Sequence, residues 1–153
     1  MTKPALIHAT ALALAVDPDG PLAGVLLLGA SGAGKSRLAL AAIETCPWRR
    51  TALIADDAVS AWGEGGAVQA RAPARIAGLI EVRGFGPVPV RSVEKARLVA
   101  AFDLAASPAR LPEPAAYALG EGLALPLFPF FPGEDGPVRL RVAVRSILGG
   151  QTP

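Results

Sequence analysis

The run Gly29-Ala30-Ser31-Gly32-Ala33-Gly34-Lys35-Ser36 satisfies the phosphate-binding pattern G-x-x-x-x-G-K-[ST] at every position. An apolar run, Val25-Leu26-Leu27-Leu28, leads in, and an alanine- and leucine-rich helical pattern from Arg37 to Thr45 leads out. Strand, loop and helix in that order are the context the pattern needs. Glycines let the backbone turn with its N–H groups inward, forming a nest for phosphate oxygens. The helix that follows adds the positive end of its dipole. In such a loop Lys35 reaches the β- and γ-phosphates of a nucleotide and Ser36 ligates Mg²⁺. The plain alternative is a glycine-rich turn with a chance lysine, and the flanking strand and helix weigh against it.

The chain has 153 residues, 52% of them hydrophobic and 18% charged, with a net charge of +2. That is a compact globular composition rather than a disordered one. No repeat, linker or second hydrophobic unit interrupts it, so residues 1–153 read as one domain. The cationic surplus is small and unclustered and aromatics make up only 5%, which argues against nucleic-acid binding. No apolar segment approaches the ~18 residues of a membrane span. The single cysteine, Cys46, cannot close an internal disulfide, and with Pro47 behind it reads as a helix end rather than a catalytic thiol. Lys3 and the apolar stretch from Ala5 to Val16 resemble a short secretory signal. His8 interrupts that stretch, however, and an ATP site belongs inside the cell, so a cytoplasmic chain is expected.

Outward from the loop, Ala11 to Val16 and Gly24 to Leu28 read as strands around the turn Asp17-Pro18-Asp19-Gly20-Pro21, a hairpin that feeds the loop. Thr51 to Ala55 is a short apolar strand ending in Asp56-Asp57. Ala67 to Ala72 reads as an edge strand and Ala74 to Leu79 as a helical turn. Val82 to Pro87 reads as a loop, Ser92 to Arg97 as the start of a helix, and Leu98 to Leu104 as ambiguous because alanine weakens a strand assignment. Ser107 to Pro114 should be irregular, and prolines leave Leu125 to Phe131 extended. Arg139 to Arg145 alternates with period two, the pattern of a half-exposed strand.

Two constellations carry chemistry. Asp56-Asp57 follows a buried strand, where carboxylates commonly lie beside a nucleotide. A pair allows one acid to be metal-directed and the other to accept a proton. Glu81 and Arg83 share one face if that segment is extended, next to glycines that permit close approach of a ligand. A surface strand end with a salt bridge has the same spacing. His8, the only histidine, reads on general grounds as structural.

Taken together, His8-Ala9-Thr10, the phosphate loop, Ile54-Ala55-Asp56-Asp57 and Leu79-Ile80-Glu81-Val82-Arg83-Gly84-Phe85-Gly86 resemble the HPr kinase/phosphorylase family in order and spacing. The resemblance implies an α/β fold, a P-loop kinase core on a mixed, largely antiparallel sheet, shared with phosphoenolpyruvate carboxykinases. It implies ATP and Mg²⁺ as cofactors. The implied reaction is serine phosphorylation of the phosphocarrier protein HPr or its nitrogen-branch relative, regulating the phosphotransferase system. Gly29, Ala30, Ser31, Gly32, Ala33, Gly34, Lys35 and Ser36 would bind the nucleotide, and Ser36 and Glu81 the metal. Asp57 would be the proton acceptor, with Asp56 its neighbour, and Lys35, His8 and Arg110 would complete the catalytic set, with Arg83 beside it. A homo-oligomer is expected. Three departures matter: the chain starts at the catalytic core without the family's N-terminal domain, it stops before the helices that dock on the carrier, and it has Pro132-Gly133-Glu134-Asp135 in place of a Pro-Gly-Arg-Asn loop linked to dephosphorylation. Reverse phosphorylase activity is therefore not expected. Two rivals remain: a nucleotide sensor that binds a partner without turnover, and a small-molecule P-loop kinase. A GTPase would need an Asn-Lys-x-Asp segment, and the chain contains no asparagine.

Overall fold

The computed structural model describes residues 1–104 and 115–150. Its elements are β1 (Ala5–Ile7), β2 (Thr10–Leu14), β3 (Ala23–Leu28), α1 (Lys35–Glu44), β4 (Ala52–Ala55), β5 (Val59–Glu64), β6 (Ala67–Arg71), a short 3₁₀ turn (Ala74–Ile76), β7 (Leu79–Val82), β8 (Gly86–Pro89), β9 (Lys95–Asp103), β10 (Ala115–Gly120), β11 (Leu123–Pro129) and α2 (Gly136–Leu148). Nine strands form one sheet in the order β1-β5-β6-β9-β3-β2-β4, with the β10–β11 pair attached to β9, and β7–β8 form a separate hairpin. Among the described strand pairs, β3–β9 and β9–β11 are parallel and the others antiparallel. The sheet is thus mixed and largely antiparallel, as the family resemblance implied.

The β2–β3 hairpin forms as expected, with Thr10 opposite Leu27 and Leu14 opposite Ala23. β3 is the strand that delivers the chain into the glycine loop. It packs so tightly on β9 that a Cβ at Gly24 would lie 2.3 Å from the carbonyl oxygen of Arg97. Only glycine permits that approach. β9 is the hub of the sheet. One edge takes β3, while the other takes β6 along Lys95–Leu98 and β11 along Ala101–Asp103.

Four local readings change. β6 is interior, paired to both β5 and β9, because the edge is set by distant pairing that its own sequence does not encode. The helix expected from Ser92 does not form, and Lys95–Asp103 is a single strand in which Ala100 and Ala101 are buried between neighbours. Val82 to Pro87 is the turn of the β7–β8 hairpin together with part of both strands. Arg139 to Arg145 is helix, not strand. The buried side chains Pro137, Leu140, Arg141 and Val144 recur at helical spacing, whereas Val138 and Val142 face out at 53% exposure each. The alternation of valine and arginine concealed that second periodicity, and Pro137 in the first turn favours a helix start.

α1 and α2 pack on a core that includes Leu12, Val25, Leu27, Leu38, Ile43, Phe102, Phe130, Leu140 and Val144. Leu140 is wholly buried. Leu140→Ala should cost about 2–5 kcal/mol, whereas Val142→Ala should change stability by less than about 0.5 kcal/mol. Denaturant unfolding of the two variants checks the helical assignment, since a strand would place both residues on one face.

Beyond α1, Cys46 is buried at 5% exposure. Burial pushes its thiol up, but hydrogen bonds from the Thr51 side chain and from the backbone of Arg50, Thr51 and Trp48 outweigh this and bring it down to about 6. Its burial shields it from reagents despite that acidity.

Candidate active site

The glycine loop runs from the end of β3 to the start of α1. Gly29, Gly32 and Gly34 have φ of 143°, 87° and 101°. Ala33 N–H donates to the Ala30 carbonyl at 3.0 Å, closing a turn inside the loop. Gly34 caps α1 in a left-handed conformation, and its carbonyl accepts from Leu38 N–H at 2.9 Å. A side chain at Gly32 would meet nothing within 4 Å, so the loop opens to solvent there. Lys35 is buried, and its Nζ donates to the carbonyls of Gly29 and Ala30. The ammonium therefore lies under the loop rather than out in solvent.

Three chain segments converge on Asp56, which is 5% exposed. Ser36 Oγ donates to its Oδ1 at 2.6 Å, and Thr10 Oγ1 donates to the same oxygen at 3.0 Å. Glu81 N–H donates to Oδ2 at 2.9 Å, joining the start of the β7–β8 hairpin to the end of β4. The buried carboxylate is thus satisfied by donors on β2, α1 and β7, and the charge-assisted bonds fix its orientation. Asp57 is its opposite. It is exposed, sits at φ 69°, and lies with Oδ1 3.5 Å from Nδ1 of His8. The turn that separates them is closed by Ala58 N–H donating to the Asp56 carbonyl at 2.8 Å. Adjacent acids therefore point to different environments, one inward to the Ser36 hydroxyl and one outward to solvent and His8.

The Ser36 hydroxyl and the Asp56 carboxylate come together next to Lys35, and Glu81 joins them through its backbone N–H while its side chain is exposed. Among the described residues no cluster of three His, Cys, Asp or Glu side chains is arranged to hold a metal. A carboxylate and a hydroxyl nevertheless suit Mg²⁺, which keeps several waters and takes substrate phosphates as ligands. Arg83 does not share a strand face with Glu81, since β7 ends at Val82 and Arg83 falls in the exposed hairpin turn. Arg110 lies outside the described residues.

Two neighbours of the site stood in motifs the sequence reading quoted but were given no role of their own. Thr10 is fully buried in an apolar strand, and its hydroxyl on Asp56 explains a polar residue there. That mismatch with its surroundings was the available signal. Pro132 is the second, with Cγ 3.9 Å from where a Cβ on Gly34 would stand. Nothing local in the sequence connects residues so far apart.

A glycine-lined loop between strand and helix, a lysine beneath it and a serine–aspartate pair behind it belong to an α/β protein whose loop carries the phosphate-binding sequence pattern. The profile described as HPr Serine kinase C-terminal domain matches residues 19–101. The chain belongs to that family. It is 37% identical over 91 residues to an HPr kinase/phosphorylase from Brevibacillus brevis, covering 53% of this chain and 28% of the relative. With an HPr kinase/phosphorylase from Bordetella pertussis it shares 41% identity over 71 residues, 46% of this chain and 22% of the relative. The matches thus span about a quarter of those curated relatives. The structure titled Hpr(Ser) kinase/phosphatase from Coxiella burnetii superposes with a TM-score of 0.75 at 24% identity, covering 95% of this chain and 92% of the other. That likeness establishes the fold.

Proposed function

We propose that this protein transfers the γ-phosphoryl group of ATP to a serine hydroxyl of the phosphocarrier protein HPr, or of its nitrogen-branch relative, in the cytoplasm. The observation that carries this reading is the division of labour between the two acids. Asp56 is held inward by Ser36, Thr10 and Glu81, while Asp57 stands exposed beside His8. The loop amides and Lys35 hold the β- and γ-phosphates, with Ser36, Asp56 and Glu81 on the metal side. Bound Mg²⁺ would neutralise charge on those phosphates. Asp57, open to an incoming protein surface, accepts the serine proton as the oxygen attacks phosphorus. His8 orients the Asp57 carboxylate. Incubation with ATP, Mg²⁺ and candidate carriers, followed by intact-mass measurement, should show one phosphoryl group added to the carrier. A nucleotide sensor would bind ATP and leave every carrier unmodified, and a small-molecule kinase would modify small alcohols instead.

The reverse reaction should be slow. Glu134 is exposed in the turn whose Pro132 borders Gly34, so an acid stands near the entrance to the phosphate loop. It would repel an incoming phosphate anion. Phosphorylated carrier incubated with inorganic phosphate should keep its phosphoryl group, and Glu134→Arg should accelerate the loss. Rapid phosphate-dependent dephosphorylation by the unaltered protein would overturn this.

A further inference from the structure

The turn between β11 and α2 borders the phosphate loop, and one side chain ties that turn down. Arg139 Nε donates to Asp135 Oδ1 at 3.0 Å, and Nη2 donates to the Phe131 carbonyl at 2.5 Å. Its guanidinium carbon lies 4.9 Å from the centroid of the Phe130 ring. One planar group therefore grips both ends of the segment Phe131 to Asp135. Gly136 N–H closes the turn onto the Gly133 carbonyl at 2.9 Å. Between the two grips sits Pro132, with Cγ 3.9 Å from where a Cβ on Gly34 would stand. Gly34 is the left-handed residue that starts α1 and precedes Lys35.

We propose that Arg139 is a positioning residue for the phosphate loop. By holding the Phe131–Asp135 turn it keeps Pro132 beside the open face of Gly34, and so limits the conformations open to a segment that has three positive-φ glycines. Left alone, such a segment is entropically loose, and its amides converge on an anion only part of the time. An exposed i,i+4 ion pair would by itself contribute little. The bond to a main-chain carbonyl and the stacking on Phe130 are what make this arginine a clamp, because a lysine lacks the planar fork. The consequence is affinity for a polyphosphate, which rests on the phosphoryl-transfer reading; the order of the loop itself does not.

Amide hydrogen exchange on the full chain without nucleotide tests the clamp directly. Arg139→Ala should speed exchange across the phosphate loop roughly tenfold while the later turns of α2 stay protected. Arg139→Lys should restore only part of that protection. Pro132→Ala should reproduce the loop effect without touching α2, and it decides the matter if Arg139→Ala frays the helix. With ATP, both alanine variants should raise KM several-fold and leave kcat at saturation unchanged, a split that general destabilisation does not produce. Unchanged loop exchange in Pro132→Ala, whatever Arg139→Ala does, overturns the proposal. Faster loop exchange in a protein that transfers no phosphoryl group would uphold the clamp and remove the kinase reading.

Discussion

Lys35→Ala should yield a folded protein whose phosphoryl transfer falls by about 10²–10³-fold or more, the scale for removing one preorganised donor from a developing oxyanion. The lysine is buried beneath the loop, donating to Gly29 and Ala30 carbonyls. A bound nucleotide would bring its terminal phosphates to the same place, and Lys35 supplies their counter-charge. The cost to stability should be small. Ala30 is exposed and Gly29 half-buried, so water can replace the ammonium at both carbonyls. Thermal unfolding should therefore move little while transfer collapses, and calorimetric titration should show weakened Mg²⁺-ATP binding. Lys35→Arg keeps the charge but brings a larger planar group into a buried slot, and it should rescue poorly. Unchanged transfer kinetics in a folded Lys35→Ala protein would remove the phosphate-loop assignment altogether.

What the sequence disclosed about this site was local in origin. The glycine loop, the hairpin that enters it and the helix that leaves it each depend on neighbouring residues, and all three form where expected. Readings that depended on distant partners did less well. β9 is alanine-rich and becomes a strand because β3, β6 and β11 flank it. α2 hid behind alternating valines, since the face it buries is defined by α1 and the core. The hydrogen bonds that hold Asp56 inward were also hidden, because Thr10 and Glu81 come to it from far away in the chain. The arginines show the same limit. Arg50 donates to the carbonyls of Asp17 and Gly20, Arg91 to those of Thr51 and Ile43, and Arg145 to that of Val16. They tie loops and helix ends to the sheet, a structural use that nothing in their local sequence announces.

The contrast between the two acids gives the most discriminating test of mechanism. Asp57→Asn should leave Mg²⁺-ATP binding intact and lower phosphoryl transfer by about 10²–10⁴-fold, the usual contribution of a positioned general base. The substitution is mild structurally. Asp57 is exposed at φ 69°, and asparagine is among the few residues that tolerate that region. Asparagine keeps an oxygen within reach of His8 but cannot accept a proton at neutral pH. Asp56→Asn should fail differently. Both Asp56 oxygens are acceptors, Oδ1 for Ser36 and Thr10 and Oδ2 for Glu81 N–H. An amide group must turn its NH₂ toward at least one of those donors, in a site that is 5% exposed. Asp56→Asn should therefore lose stability and Mg²⁺-ATP affinity together, and its transfer rate should follow from that loss. Paired measurements of nucleotide affinity and single-turnover transfer separate the two roles. Normal transfer by Asp57→Asn would sink the base assignment, and loss of Mg²⁺-ATP binding in that variant would move Asp57 to the metal side, leaving the proton without an acceptor beside His8.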